Sequence, residues 1–199
     1  MFTPLDSVLF PDECVIVKSS NTFIFPIFKN GSSSLTKDFP KIPHKDVANV
    51  TEVTVFIREP IDRFVSGVTT YIKKNPHIPE SAITEFVKQF LFFNRHFCPQ
   101  FYWLVNLRRY SDAKIKLEDI SRLSEYTNLH KNHSETKVSS VIADDPALHF
   151  YMALDKVLYW ELIGQTVTFA DIVLAIKDMY PDVYKEVIER SKRLCSVLD

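Results

Sequence analysis

An apolar run that changes abruptly into a small polar loop constrains the fold more than any other feature of the sequence. Residues 23–28 read FIFPIF, a nearly continuous apolar stretch typical of a strand that is covered on both faces in a parallel sheet. Pro26 interrupts the pattern, since proline cannot donate a hydrogen bond to a neighbouring strand. Residues 29–34 then read KNGSSS and supply a cation, residues that tolerate positive φ, and small hydroxyl side chains.

A loop of this composition turns its backbone N–H groups, and the start of the helix behind it, toward an anion. The alternative is an ordinary turn capped by serine. Pro40 and Pro43 follow closely, so the helix behind the loop has room for only a turn or two. We therefore predict a buried strand, an anion-binding loop and a short helix, in that order.

Length and charge limit the classes of protein that remain. The 199 residues include 46% hydrophobic residues and only three glycines, which predicts one compact domain over residues 1–199. The formal net charge of −1 argues against general nucleic-acid binding, because that function needs many unneutralised Lys and Arg side chains. Any phosphate site must therefore be local.

The cysteines and the hydropathy pattern bear on location. The three cysteines are widely spaced and lack metal-ligand spacing, which favours a reduced intracellular environment. No apolar run reaches the ~18 residues of a membrane span, and no basic segment followed by an apolar one begins the chain. We expect a soluble, cytoplasmic protein without a membrane partner.

The remaining strands and helices are predicted in a largely alternating order. Residues 52–57, EVTVFI, form the second clear strand, and Pro60 with Asp62 marks the start of a helix. The other predictions are an edge strand or a lead-in to the main strand over residues 14–18, strands over 101–107 and 113–117, a short helix from 118 to 126, and helices over 81–93, 147–162, 169–179 and 181–194. This order favours an α/β sheet with a helical C-terminal third, and an α+β fold is the alternative.

A second group suited to anions follows the strand EVTVFI. Arg58 comes directly after this strand, and Ser66 lies roughly two turns into the next helix, so both side chains can face one phosphate. Arg63 is a further candidate. The alternative for Arg58 is a salt bridge with Glu59 or Asp62 on a solvated face. Ligands of open α/β sheets bind beyond the carboxyl ends of the strands, where the KNGSSS loop and Arg58 both lie, so we expect the two groups to converge.

These motifs resemble the donor-binding motifs of the sulfotransferases. KNGSSSL after a strand is similar to their 5′-phosphosulfate-binding loop, and FIREPIDRFVSGV is similar to their 3′-phosphate-binding strand and helix. Two further segments, NRHFCPQ at residues 94–100 and KIKLEDISRL at residues 114–123, resemble segments of the carbohydrate sulfotransferases. The resemblance covers residues 23–134 in the family's order.

The resemblance implies a P-loop-like parallel sheet flanked by helices. It also implies transfer of a sulfuryl group from 3′-phosphoadenosine 5′-phosphosulfate (PAPS) to an acceptor hydroxyl, on a carbohydrate or another hydroxyl compound. Lys29 would lie against the bridging oxygen of the leaving phosphate, and Arg58 with Ser66 would select the 3′-phosphate. The residues that would hold the 5′ end are Lys29, Asn30, Gly31, Ser32, Ser33 and Ser34. Such chemistry depends on positioning and charge stabilisation and requires no metal.

Transfer to a hydroxyl also needs a base, and histidine is the commonest group for that task. His44 is our first candidate, because it follows the loop on the stretch where similar enzymes place acceptor-side groups. His96, in HFCPQ, is the second, although its aromatic and proline neighbours favour a buried structural residue. Glu52 and Asp46 come behind them. We expect His77 and His149 to be structural or solvent-exposed residues. His130 and His133 lie in a polar loop that could close over the nucleotide.

Two other functions stay open. The GxxxxGK[ST] pattern of nucleotide kinases is absent because Lys29 precedes Gly31, and no Asp/Glu pair is placed like a magnesium site, so a kinase-like phosphotransferase is disfavoured. A catalytically inactive nucleotide-binding or interaction protein of the same fold is the other alternative. The joint presence of Lys29, Arg58 and Ser66 argues against loss of activity.

Overall fold

A mixed six-stranded sheet organises the protein. The computed structural model describes residues 15–19, 22–27, 29–43, 50–89, 96–109, 112–127 and 144–194. The strands are β1 (Val15–Ser19), β2 (Thr22–Ile24), β3 (Lys41–Pro43), β4 (Glu52–Ile57), β5 (Lys114–Asp119) and β6 (Thr166–Val167). Their order across the sheet is β3-β1-β2-β4-β5-β6.

The three central strands are parallel, and the outer strands are not. β4 pairs with β2 through Ile24 and Thr54, and with β5 through Ile57 and Asp119. The carboxyl ends of β2, β4 and β5 therefore lie at one edge of the sheet. β1, β3 and β6 pair antiparallel, so the predicted parallel sheet is correct only at its centre. The two-residue connection from β1 to β2 explains part of this difference, because a parallel pair needs a long crossover.

Helices cover both faces of this sheet. The α-helices are α1 (Ser32–Asp38), α2 (Pro60–Lys74), α3 (Glu80–Gln89), α4 (Gln100–Leu104), α5 (Pro146–Tyr151), α6 (Ala153–Lys156), α7 (Phe169–Met179) and α8 (Pro181–Leu194). Two 3₁₀ helices, Val105–Arg109 and Ile120–Glu125, and a π-helix, Val157–Glu161, complete the described helices.

Alternation along β4 divides the core into two clusters. Val55 and Ile57 belong to the larger cluster, with Phe64 and Val68 of α2. Phe56 points to the opposite face and joins the smaller cluster, which contains Leu35 of α1 and Leu123 of the second 3₁₀ helix. β4 is thus buried on both faces, as its β-branched and aromatic composition predicts. The α/β class with a helical C-terminal third is confirmed.

Several predicted elements were accurate and others need correction. The strand over residues 52–57 and the helices over 169–179 and 181–194 are confirmed with the predicted bounds. The strand predicted over 14–18 is β1, which lies one place in from the sheet edge. The predicted 147–162 helix is divided into α5, α6 and the π-helix. The helix predicted over 81–93 is α3, and residues 90–93 of that prediction lie outside the described part of the chain.

Three other predictions differ from the structure in their bounds or in the type of element. The apolar run 23–28 contributes a strand only as far as Ile24, two residues before Pro26. The predicted strand 101–107 is helical instead, in α4 and the following 3₁₀ helix. All five residues of α4 are buried, so the sequence shows no amphipathic period there. The short helix predicted from 118 begins at Ile120, because Glu118 and Asp119 belong to β5.

The segment that begins at His96 approaches α2 closely at Gly67. A Cβ built on Gly67 would lie 2.2 Å from the carbonyl oxygen of His96. The segment HFCPQ therefore packs directly on α2, at a position where only glycine leaves room. Among the described residues, no helix is long and apolar enough to cross a membrane.

Candidate functional site

The loop after β2 has an unusual backbone. Lys29 has a φ of 72° and is the one non-glycine residue with positive φ among those described. Such a conformation costs an L-residue roughly 1–2 kcal/mol. Gly31 has a φ of 74°, which favours glycine, and a Cβ built on it would lie 2.1 Å from Leu123 Cδ2, so the end of that side chain would have to shift. Strain of this kind accumulates at functional sites.

The side chain of Asn30 fixes this loop to the sheet. It is buried, and its Nδ2 donates to the carbonyl oxygen of Phe56 in β4 at 2.7 Å. The same nitrogen donates to Gln100 Oε1 at 2.5 Å. The backbone N–H of Asn30 donates to Ile27 O at 3.0 Å, which closes the turn. Asn30 is therefore a structural residue whose side chain faces the interior.

The start of α1 follows the loop. The carbonyl oxygen of Gly31 accepts from the N–H groups of Ser34 and Leu35 at 3.0 and 3.1 Å. Helix geometry leaves the N–H groups of the first turn without a partner inside the helix. The Ser32 side chain is buried, whereas Ser33 is exposed and Ser34 is half-buried. The serine side chains thus differ in their access to a ligand.

Lys29 reaches across to α2. Its Nζ donates to Thr70 Oγ1 at 2.7 Å, and Thr70 Oγ1 donates to the carbonyl oxygen of Ser66 at 3.0 Å. The lysine is half-buried. Partial burial lowers the pKa of Lys29, and repulsion from Arg58 lowers it further. The structure thus brings the loop lysine, Arg58 and the Ser66 turn of α2 together.

Other cations add to the positive potential at this edge. Arg63, Lys74 and Lys73 each lower the pKa of Lys29 by repulsion, in that order and to a smaller extent than Arg58. All three lie on α2. Positive charge therefore surrounds Lys29, which favours an anionic ligand there. The same edge of the sheet also carries acidic side chains, since Glu59 follows β4 and Asp119 ends β5.

Arg58 has a fixed backbone and an available side chain. The side chain of Gln100 hydrogen-bonds to both polar backbone groups of Arg58. Arg58 N donates to Gln100 Oε1 at 3.0 Å, and Gln100 Nε2 donates to Arg58 O at 2.9 Å. Among the described residues, no ion pair involves the guanidinium of Arg58. Glu59 instead caps α2 by accepting from Asp62 N at 2.7 Å. The alternative in which Arg58 pairs with Glu59 or Asp62 is not the observed arrangement.

Arg63 does not join this site. Its side chain is fully buried, and its Nη1 donates to the carbonyl oxygen of Cys98. Burial lowers the pKa of Arg63, and the nearby charge of Asp155 raises it. The prediction that Arg63 adds a phosphate ligand is therefore wrong, since the guanidinium lies in the core.

The structure describes only some of the candidates for the base. His44 and Asp46 lie outside the described residues, as do His130 and His133. Glu52 begins β4, at the end opposite Arg58 and roughly 20 Å away along the strand, so it is removed as a candidate.

The described histidines lie in different environments. His96 is half-buried beside Gly67, and His77 is exposed. His149 places its Nδ1 2.9 Å from Lys156 Nζ, which is a contact within the C-terminal helices. Among the described residues, no group of three or more His, Cys, Asp and Glu side chains is placed to hold a metal ion.

Gln100 and Asp155 are residues that sequence reasoning missed. Asp155 is fully buried and accepts from Gln100 N at 2.6 Å and from Phe101 N at 2.9 Å. HFCPQ marked Gln100 as part of a motif but gave it no role. Its partners Arg58 and Asn30 are 42 and 70 positions away, and no local pattern reveals contacts at such distances.

Comparisons with protein-family models, with curated proteins and with solved structures each found no match. The case for a function therefore rests on the motifs and on the geometry of this edge of the sheet.

Asp155 gives the first testable prediction. Burial raises the pKa of Asp155 from its usual 3.8 to about 6, against the opposing effect of the Arg63 charge. Between these two values the folded protein holds a proton that the unfolded chain releases, so the contribution of this carboxyl to the free energy of unfolding decreases as pH rises. The difference in the free energy of unfolding between wild type and Asp155→Asn should fall from pH 4 to pH 6 and level off above. Urea denaturation at each pH measures it, and a constant difference would contradict the raised pKa.

Proposed function

We propose that the protein transfers a sulfuryl group from PAPS to an acceptor hydroxyl, on a carbohydrate or another hydroxyl compound. The observation that carries this proposal is the meeting of Lys29 and Arg58. They follow two neighbouring parallel strands, and they are close enough for the charge of Arg58 to lower the pKa of Lys29. No described acidic side chain neutralises Arg58. Two available cations at this edge suit a ligand with two phosphate groups.

We also propose that β2, the strained loop and α1 form a P-loop-like unit. The support is the order strand, loop, helix, with a left-handed glycine directly before the helix. The loop differs from the kinase pattern because its lysine comes first. Lys29 consequently lies over α2, next to Thr70, and not at the start of α1.

The roles of individual residues follow from their positions. Lys29 would stabilise the negative charge that develops on the bridging oxygen of the 5′-phosphate as the sulfur–oxygen bond breaks. Backbone N–H groups of Gly31, Ser32 and Ser33 would hold the 5′-phosphate, since those of Asn30 and Ser34 donate to Ile27 O and Gly31 O. Arg58, with the Ser66 hydroxyl, would hold the 3′-phosphate. The acceptor oxygen attacks sulfur in line with the departing oxygen, and its proton passes to the base, for which His44 remains our proposal.

Nucleotide binding tests the role of Arg58. Adenosine 3′,5′-bisphosphate should raise the melting temperature more than AMP does, because a charged hydrogen bond to the 3′-phosphate contributes about 1.5–3 kcal/mol, or roughly 10- to 100-fold in Kd. Arg58→Ala should remove most of this preference and leave AMP binding nearly unchanged. Calorimetry measures both. Lys185→Ala, at an exposed position on α8, is the control, and equal binding of the two nucleotides by wild type would refute the 3′-phosphate site.

Two substitutions at Lys29 separate chemistry from strain. Lys29→Ala and Lys29→Gly should both lower turnover at saturating donor by about 10²-fold, since each removes the cation that stabilises the leaving oxygen. Lys29→Gly should also be more stable than Lys29→Ala by roughly 1 kcal/mol, because glycine adopts the positive φ without strain. Transfer from radiolabelled donor to a panel of glycan, phenol and lipid acceptors measures the first effect, and urea denaturation measures the second. Normal turnover in either variant would remove Lys29 from the chemistry.

His44→Ala tests the proposed base. Loss of the base should abolish acceptor sulfation while bisphosphate binding and the melting temperature stay close to wild type. His77→Ala is the matched control, since His77 is exposed and should be dispensable. Near-normal transfer by His44→Ala would move the search to His96.

A further inference from the structure

The side chain of Gln100 joins the two anion-binding groups. It is fully buried, and its Oε1 accepts from Arg58 N at 3.0 Å while its Nε2 donates to Arg58 O at 2.9 Å. This pair of bonds matches the donor and acceptor that a neighbouring strand would offer to the end of β4. Oε1 also accepts from Asn30 Nδ2 at 2.5 Å, so one amide contacts both the loop and the residue after β4.

The backbone of Gln100 is itself anchored. Asp155 accepts from Gln100 N at 2.6 Å and from Phe101 N at 2.9 Å, and the buried guanidinium of Arg63 opposes the carboxylate charge. All of these side chains are fully buried apart from Phe101, which is 5% exposed. Buried charges are stable only when they are paired and hydrogen-bonded, so this cluster holds its geometry closely.

We infer that Gln100 is a positioning residue that fixes the separation between the KNGSSS loop and Arg58. This inference rests on the proposed function. Because the same amide binds both groups, a nucleotide meets a lysine and an arginine that are already at their working distance. Less conformational freedom is then lost on binding. Glutamine suits this position chemically, because its Oε1 accepts from two N–H donors and its Nε2 donates to one carbonyl oxygen.

A purely structural role makes a different prediction. In that case Gln100 would only satisfy the backbone at the end of β4, and its loss would lower stability without altering ligand binding by the folded protein. Positioning predicts that both phosphate sites weaken together. Arg58→Ala, in contrast, should weaken only the 3′-phosphate site.

The first experiment needs no nucleotide. Amide-resolved hydrogen exchange should show at least about tenfold faster exchange at Arg58 N–H in Gln100→Met, because this group loses its acceptor. Exchange at Asn30 N–H, which donates to Ile27 O, should also rise, because the loop loses the contact between Asn30 Nδ2 and Gln100. Asn106→Ala is the matched control: Asn106 is also a buried amide, and it donates to Trp103 O. Unchanged exchange at both positions in Gln100→Met would overturn the inference.

The second experiment measures nucleotide affinity at a temperature where each variant is fully folded by circular dichroism. Gln100→Met should weaken AMP about tenfold and adenosine 3′,5′-bisphosphate by more than that, because AMP contacts one weakened site and the bisphosphate contacts both, and Asn106→Ala should weaken neither. Wild-type affinity for both nucleotides in Gln100→Met would overturn the positioning role.

Gln100→Glu is a conservative substitution that should retain part of the nucleotide affinity. A buried carboxyl favours its neutral form, and a neutral carboxyl can donate to Arg58 O as the amide does. Its affinity relative to wild type should therefore exceed that of Gln100→Met at pH 5.5, and an affinity no better than that of Gln100→Met would count against the inference. If wild type shows no preference for the bisphosphate over AMP, the proposed function fails, whereas hydrogen exchange at Arg58 and Asn30 still tests whether Gln100 holds both groups.

Discussion

The rest of the candidate site depends on the hydrogen bonds that the buried carboxylate of Asp155 accepts. A charge without solvent is costly, and two backbone N–H groups and the Arg63 guanidinium together offset that cost. The carboxylate thereby determines where α4 begins, since the N–H groups belong to its first two residues. Gln100 is the first of them, and its side chain continues outward to Asn30 and Arg58. The positions of Lys29 and Arg58 thus depend on a hydrogen-bonded carboxylate in the core.

The strain at Lys29 is consistent with this arrangement. A lysine with positive φ persists only where neighbouring contacts compensate for it. Those contacts are the two hydrogen bonds donated by Asn30, one of which goes to Gln100. The turn therefore directs the Lys29 side chain toward Thr70 and α2, away from α1. The hydrogen bonds of Asn30 and the positive φ of Lys29 together set the direction of the Lys29 side chain.

Local pattern predicted the parts of the fold that depend on local interactions. The strand at residues 52–57 and the helix at 169–179 have the composition and the cap that their structures require. α4 was missed because its start is set by Asp155, which is 55 positions from Gln100, and because complete burial removes the helical period. The same limit applies to the candidate site: the loop and Arg58 were predicted from spacing, whereas their link through Gln100 is a long-range contact.

The two arginines of the segment FIREPIDRFVSGV show how one motif serves two purposes. Arg58 precedes α2, where the chain leaves the sheet edge, and its guanidinium makes no ion pair with a described residue. Arg63 lies on the first turn of the same helix, is buried, and is balanced by Asp155. Spacing alone could not distinguish them, because both fall within reach of the same helix start. Their positions separate only once the core places Asp155 near Arg63, whereas no described acidic side chain pairs with Arg58. The balance of buried charge therefore decides which of the two cations can face a ligand.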